Sequence, residues 1–217
     1  PGAFAAAYQA AFDAGADSIV CICVSSKISA TYGAALSACD AFPGRTISVI
    51  DSLTLTLCQG FMAIAAAEAA RAGADHEQVV ARAVAVGQRS QVFGTLATLK
   101  YLAMSGRVGK VAAGMADTLS IKPILTVREG KLDMLEKVRT RRKAMERLVE
   151  LIRGGLGGKK IERLGLIHVC DRAGAEELHR QLCAALQCPA EALTVEFTPG
   201  LSVHAGAGLV GAVFVTE

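Results

Sequence analysis

The feature that most constrains the fold is an alternation of helical patterns with short apolar runs in the first 90 residues. Phe4, Tyr8 and Phe12 form the first helical stripe, and the run SIVCICV at 18–24 is typical of a strand. Helices are predicted at 3–14, 31–41, 54–72 and 76–87, and strands at 18–24 and 46–50. Strands separated by helices pair in parallel, so we expect an α/β fold whose first domain has a parallel sheet with flanking helices.

The pattern changes after about residue 88, where a boundary between domains 1–87 and 88–217 is expected. A hairpin is predicted at Arg128-Glu129-Gly130, since a short connection containing glycine joins two strand-like runs. The other predicted elements are strands at 91–94, 121–127, 131–138, 163–169, 192–197 and 209–215, helices at 96–104, 111–118, 140–153 and 173–186, and a loop at 154–158. This order predicts a mixed or antiparallel α/β second domain.

Composition excludes several classes of protein. Hydrophobic residues make up 52% of the 217, which indicates a globular chain, and a net charge of +3 is too small to indicate nucleic-acid binding. The apolar run from Leu53 to Ala70 is interrupted by Gln59 and Glu68, which favours a core helix over a membrane span. Seven cysteines without a CxxC pair are expected to act as small hydrophobic residues in a reducing, cytoplasmic protein without a signal peptide.

The segment SSKISATY at 25–32 has the strongest functional signal. It carries five hydroxyl groups at the exit of the first predicted strand, where backbone N–H groups and hydroxyls suit a carboxylate or phosphate. The alternative interpretation is that Ser29 only caps the following helix. Ile28, beside it, is a candidate for an apolar pocket.

Two glycine-containing motifs do not predict a nucleotide site. GAGLVG at 206–211 is followed by a strand-like run instead of a helix, and SGRVGK at 105–110 lacks the first glycine and the hydroxyl of a phosphate-binding loop. Arg107 remains a candidate ligand for an oxyanion, or alternatively a solvent-exposed residue at a helix end. His204, in a predicted small-residue loop, has room for a ligand, although a lone histidine is usually structural.

The sequence indicates other functions only weakly. A small-molecule hydrolase using Ser29 and His204 is an alternative, but no nucleophile elbow is present. His168, Cys170 and Asp171 match no standard zinc spacing, so no metal is expected. The basic run at 137–147 predicts a solvated helix face or, alternatively, a docking patch for a regulatory partner.

Taken together, several ordered segments resemble motifs of the DegV family of bacterial fatty-acid-binding proteins. The resemblance extends over nearly the whole chain. The segments are SSKISATY at 25–32, VIDS at 49–52, TLKYLAMSGRVG at 98–109, IKPILTVREGKL at 121–132, KVRT at 137–140 and HAGAG at 204–208. Where the family has glycine in S-G-T, this chain has Ala30.

The resemblance implies two α/β domains with a long-chain fatty acid, such as palmitate, between them and no cofactor. It implies that the carboxylate lies at Ser29 and Ala30, with Arg107 and His204 near the head group and Ile28 near the tail. It also implies that the protein is not an enzyme but the acyl-carrying subunit of bacterial fatty acid kinase, whose separate catalytic subunit phosphorylates the bound carboxylate. No nucleic acid or stable membrane insertion is expected. The family's first strand and its T-S-x-P loop would precede Pro1, so the true N-terminus is expected upstream.

Overall fold

A computed structural model describes residues 1–107 and 121–217. The predicted helix near 111–118 and the end of SGRVGK lie outside the described residues. By their contacts the described residues form two compact units. The first comprises Pro1–Gln88 with the turn Glu129–Lys131, and the second comprises the segments Arg89–Arg128 and Leu132–Glu217.

The first unit is built on a two-stranded parallel sheet. Its elements are α1 (Gly2–Asp13), β1 (Ser18–Cys23), α2 (Thr31–Ala38), a 3₁₀ turn (Cys39–Ala41), β2 (Thr46–Asp51), α3 (Leu57–Arg71) and α4 (His76–Arg89). The register runs from Ser18 opposite Thr46 to Cys23 opposite Asp51, so both strands end at the same edge. The predicted parallel pairing is therefore confirmed.

The aromatic stripe of α1 packs into the first unit. Tyr8 and Phe12 are buried, and both rings contact Phe42, with centroids 6.0 and 5.8 Å away. The Tyr8 hydroxyl donates to the carbonyl oxygen of Ala35 in α2 at 3.3 Å. These contacts hold α1 and α2 together beside the sheet.

The second unit contains a six-stranded mixed sheet in the order β5-β4-β3-β8-β6-β7. Its elements are β3 (Ser90–Thr95), α5 (Lys100–Met104), β4 (Lys122–Arg128), β5 (Lys131–Val138), α6 (Arg141–Leu156), β6 (Ile161–His168), α7 (Arg172–Ala185), β7 (Ala192–Glu196), α8 (Pro199–Ala205) and β8 (Val210–Thr216). Strand β8 is antiparallel to β3 and β6, whereas β6 and β7 are parallel. This confirms the predicted mixed α/β architecture.

The core of the second unit lies between the sheet and helices α6 and α7. Every residue of β8 is buried, as expected for a continuous apolar run in a central strand. Phe214 stacks on Phe93 of β3 with ring centroids 6.1 Å apart, and it clusters with Leu148 and Ile152 of α6 and Leu178 of α7. Burial of side chains of this size is typically worth about 1.5–3 kcal/mol each.

Two sequence-based boundaries in the second unit are wrong. The helix predicted at 96–104 begins only at Lys100, because the Leu96 N–H donates to the carbonyl oxygen of Pro123 at 3.2 Å and extends the strand pairing. The loop predicted at 154–158 is helical as far as Leu156, where Gly157 ends α6 in a left-handed conformation. Gln91 Nε2 donates to the Gly155 carbonyl oxygen at 2.9 Å and holds this last turn against β3.

The cysteines follow the prediction only in part. Cys23 and Cys58 are buried like small hydrophobic residues, and burial raises the pKa of each thiol to about 12. Cys183 and Cys188, however, form a disulfide with a Cα–Cα distance of 5.3 Å. The expectation of reduced cysteines is therefore wrong for this pair, because the end of α7 and the following loop bring two cysteines five residues apart into bonding geometry.

Candidate functional site

The hydroxyl-rich segment forms the loop between β1 and α2. Ser25 is fully buried, and its hydroxyl donates to the carbonyl oxygen of Gly130 at 2.7 Å while accepting from the N–H of Lys27. Its own N–H donates to the carbonyl oxygen of Thr54 in the loop after β2. Ser25 is thus a structural residue that holds the loop in shape.

Ser29 lies half-buried immediately before α2. Its Oγ is 2.7 Å from Thr31 Oγ1 and also accepts from the Thr31 N–H at 3.3 Å. The N-cap position itself belongs to Ala30, which is exposed and makes no side-chain cap bond. The interpretation of Ser29 as the cap residue is therefore wrong by one position, although its oxygen does accept from the first helical N–H.

Ile28 is half-buried, and its N–H donates to the Ser25 carbonyl oxygen at 3.0 Å. The N–H of Ser29 donates to the same oxygen at 3.1 Å. This turn holds the backbone of both residues, while the first turn of α2 has N–H groups without intrahelical acceptors. An oxyanion acceptor suits such a position.

Asp51 is the residue of this site whose role the sequence did not reveal. One carboxylate oxygen accepts from the N–H of Ser26 at 3.1 Å and from the N–H of Leu53 at 3.0 Å. It therefore joins the loop after β1 to the loop after β2. Burial raises the pKa of Asp51, but the hydrogen bonds from Ser26 and Leu53, with the nearby charge of Lys27, outweigh it and leave the pKa below its usual value.

Replacing Asp51 with Asn is expected to lower the free energy of unfolding by about 1–2 kcal/mol at neutral pH, because a charge-assisted acceptor is lost. A carboxyl whose pKa is depressed on folding stabilises the protein above its unfolded pKa of about 4, and this contribution disappears as pH falls through the folded pKa. Urea denaturation of both proteins should show a constant difference above about pH 5 that shrinks below about pH 4. Asp40→Asn, at an exposed carboxylate, is the control, and an equal pH-dependent loss there would contradict the role of Asp51.

Arg107 lies just after α5 in the second unit and is exposed. Its Nη1 donates to the carbonyl oxygen of Ser105 at 2.7 Å, so the guanidinium satisfies a carbonyl group at the helix end. This arrangement favours the helix-end interpretation for the structure as it stands. A ligand role for Arg107 stays a prediction.

His204 lies on a short helix and not in the loop that the sequence predicted. Helix α8 forms because Pro199 occupies its first turn, where no N–H bond is needed, and the Thr198 carbonyl oxygen accepts from the N–H groups of Leu201 and Ser202. The Nδ1 atom of His204 is buried and has no hydrogen-bond partner among the described residues.

Thr95 has the same property, and sequence reasoning missed it. Its Oγ1 is buried without a partner within residues 1–107 and 121–217. Thr95 ends β3 and pairs with Val210, the first residue of β8, which follows α8 after a short loop. Buried polar atoms without partners are rare, and they are often found where a ligand or water binds.

Two of the separated motifs meet in the second unit. Tyr101 of TLKYL packs directly on Gly206 of HAGAG: a Cβ there would lie within 2.2 Å of the tyrosine Cδ2. Gly206 also has φ +74°, which side-chain-bearing residues rarely adopt. Glycine at this position therefore allows α5 and α8 to pack together near His204.

His76, the first residue of α4, is half-buried against the sheet of the first unit. Its two ring nitrogens lie 2.7 Å from Ser48 Oγ and 2.9 Å from Ser18 Oγ. These bonds connect the start of α4 to both strands. A histidine bonded to two serine hydroxyls in this way is explained by packing alone.

Three of the six basic residues in the run at 137–147 form ion pairs with acidic side chains. Arg147 pairs with Glu136 and Glu150, Arg142 pairs with Glu146, and Arg141 pairs with Asp171 at 2.5 Å. The hydrogen bond from Arg147 is also the main reason why the pKa of Glu136 is lowered. Such pairing favours the solvated-face interpretation over a docking patch.

The fold defines a class of α/β proteins in which one unit has a small parallel sheet and the other has a six-stranded mixed sheet. The chain belongs to the DegV family, described as "Uncharacterised protein, DegV family", whose model matches residues 1–217. No helix within the described ranges combines the length and apolarity needed to cross a bilayer.

Known proteins support this membership. A DegV domain-containing protein of Mycobacterium tuberculosis is 35% identical over 213 residues, which cover 97% of this chain and 75% of the relative. A crystal structure of a DegV family protein from Corynebacterium glutamicum superposes with a TM-score of 0.91 at 29% identity, covering 98% of this chain and 80% of that one. A DegV family protein from Thermus thermophilus, whose structure concerns fatty acid binding, gives 0.92 at 29% identity, with coverage of 99% and 76%.

Proposed function

We propose that this protein is a cytoplasmic, non-catalytic carrier of two domains (1–87 and 88–217) that binds one long-chain fatty acid, such as palmitate. The carboxylate is assigned to Ser29 and Ala30, and Arg107 and His204 are assigned to the head-group surroundings. The observation that carries the proposal is the Ser29 hydroxyl at the start of α2, in a loop that Asp51 connects to its neighbour. Fatty acid binding by the relative from Thermus thermophilus supports the choice of ligand.

The hydrogen bonds around Ser29 suit a carboxylate. Ser29 Oγ already accepts from the Thr31 N–H, and Thr31 Oγ1 lies close enough to donate a second hydrogen bond to it. When Thr31 Oγ1 is the donor, both lone pairs of Ser29 Oγ are engaged and the Ser29 hydroxyl has its own hydrogen available for a carboxylate oxygen. The exposed Ala30 leaves space beside that hydroxyl.

A serine activated for hydrolysis needs a base as its partner. Within the first unit the recorded partners of Ser29 Oγ are the hydroxyl and N–H of Thr31, and neither is a base. This observation favours binding over the alternative of a small-molecule hydrolase that uses Ser29 and His204.

In the second unit, the unpartnered atoms His204 Nδ1 and Thr95 Oγ1 support a polar role for the end of the sheet near α8. Each can exchange one hydrogen bond with a ligand or a bound water. We therefore add Thr95 to the residues assigned to the ligand. The tail is assigned to apolar positions, of which Ile28 is one.

The tail should dominate affinity. Burial of each CH₂ group contributes about 0.8 kcal/mol, so a palmitoyl chain provides up to about 11–12 kcal/mol before ordering costs. A hydroxyl–carboxylate hydrogen bond adds only about 1.5–3 kcal/mol. The head-group residues are thus suited to orienting the ligand more than to holding it.

We further propose that the orientation serves a separate kinase subunit. In that reaction a carboxylate oxygen attacks the γ-phosphorus of ATP, the bond to the β–γ bridging oxygen breaks, and acyl phosphate and ADP form. The ATP site belongs to the kinase, which agrees with the failure of GAGLVG and SGRVGK to match nucleotide motifs.

Native mass spectrometry of the purified protein, followed by titration with delipidated protein, tests the carrier proposal. A co-purifying fatty acid is expected, and each shortening of the chain by two CH₂ groups should weaken binding by up to about 15-fold. The matched control is a fatty alcohol of the same length, which keeps the tail but lacks the charge. Ester hydrolysis that disappears in Ser29→Ala, or capture of a protein partner without lipid, would favour the alternatives instead.

A further inference from the structure

A second cluster of chemically active side chains lies on α7 of the second unit, among residues that the fatty acid proposal does not use. The ligand atoms of His179, Cys183 and Cys188 all lie within 4.8 Å of one another. His179 and Cys183 are four residues apart and therefore share one face of the helix. Cys188 follows the helix end and is bonded to Cys183.

The core holds this cluster in place. Leu178 and Leu182, each next to a cluster residue in sequence, are fully buried and anchor α7 to the sheet. Cys188 is partly buried and packs against the same core. Cys183 is exposed, so the cluster opens to solvent on one side.

We propose that the reduced form of this cluster binds one zinc ion through His179 Nδ1 or Nε2 and the two cysteine thiolates. Tetrahedral zinc has Zn–S bonds of about 2.3 Å and Zn–N bonds of about 2.0–2.1 Å, which separate neighbouring ligand atoms by about 3.5–3.8 Å. Once the S–S bond is broken, the two sulfur atoms are free to move apart to these separations, and the three ligand atoms already lie within 4.8 Å of one another. Three protein ligands leave the fourth position, on the solvent side, for water or an exogenous ligand.

The disulfide makes the site dependent on redox state. A dithiol reductant supplies two electrons and two protons: the Cys183–Cys188 S–S bond breaks, two thiols form, and the reductant becomes a disulfide. Zinc binding then displaces the two thiol protons, giving two thiolate ligands beside neutral His179. In the disulfide form only the histidine remains as an effective ligand, so metal binding and the S–S bond exclude each other.

The test uses the full chain, reduced with a phosphine under anaerobic conditions or left oxidised. Zinc is added in competition with a chromogenic chelator, and Co²⁺ serves as a spectroscopic probe. The reduced protein should bind one equivalent of zinc and, with Co²⁺, show a thiolate-to-metal charge-transfer band. The oxidised protein should bind zinc at least about 100-fold more weakly than the reduced protein.

Variants separate the cluster from other thiols. Cys183→Ser and Cys188→Ser should each weaken zinc binding about 100-fold, and His179→Ala at least about tenfold, with unchanged circular dichroism. Cys170→Ser removes an exposed thiol elsewhere in the chain and should leave binding unchanged. Equal binding by reduced and oxidised protein, or retention of the charge-transfer band in both cluster-cysteine variants, would overturn the proposal. Because Cys183 is exposed, serine fits there without disturbing the core.

Discussion

Replacing Gly211 with Ala is expected to lower the free energy of unfolding by at least about 3 kcal/mol. A Cβ at this position would lie 2.4 Å from the carbonyl oxygen of Phe93 and 2.8 Å from the Cα of Gly94. Both atoms belong to the backbone of β3, which pairs with β8 along six residues, so neither can move without separating the strands. Urea denaturation monitored by circular dichroism gives the difference directly.

Gly94→Ala is the matched control, since Gly94 is the register partner of Gly211 on the neighbouring strand. A Cβ on Gly94 would approach the Val210 carbonyl oxygen only to 3.6 Å, which is ordinary van der Waals contact. The control should therefore cost no more than about 1 kcal/mol. Similar losses for the two variants would mean that strand pairing at Gly211 is looser than the structure indicates.

The same strands illustrate what local sequence can predict. The run at 209–215 is apolar at almost every position, and this pattern alone indicates a strand buried on both faces, as β8 is. The parallel pairing of β1 and β2 follows from helices alternating with short apolar runs. Helices and strands whose apolar side chains follow a single period were therefore predictable, with their ends placed to within a few residues.

Elements that depend on contacts between residues far apart in sequence were not predictable in this way. Leu96 is extended because Pro123, 27 positions later, accepts its N–H, and the last turn of α6 is held by Gln91, 64 positions earlier. The helix that carries His204 depends on a single proline in a stretch of small residues. None of these effects changes the local hydrophobic period from which elements are predicted.

The candidate site also combines features that the sequence predicts with features that depend on contacts distant in sequence. The hydroxyl content of SSKISATY was visible in sequence, but the separate functions of Ser25 and Ser29 were not, because they depend on which hydroxyl reaches a neighbouring loop. Asp51 was seen only as part of a motif, and its bonds to two loops required the strand register. Thr95 gave no signal beyond being a polar residue at a strand end.

The largest functional effect is expected for Ser29→Ala. If Ser29 orients the carboxylate, its removal should weaken fatty acid binding only about 3- to 10-fold, because the tail supplies most of the affinity. Transfer of phosphate to the bound fatty acid should fall about 100-fold or more, since a displacement of about 1 Å at the reacting atom has effects of that size. The measurement is acyl phosphate formation by the kinase subunit with ATP, at a lipid concentration that saturates both proteins.

Two further variants distinguish orientation from a general loss of structure. Ser37→Ala removes an exposed hydroxyl on the same helix, α2, and should change neither binding nor transfer. Ser29→Thr keeps a hydroxyl on Cβ and should recover part of the transfer rate while binding stays near the wild-type value. Unchanged transfer in Ser29→Ala would rule out presentation of the carboxylate by this residue but leave the carrier proposal intact. Loss of binding by several orders of magnitude would instead show that the head group, and not the tail, supplies most of the affinity.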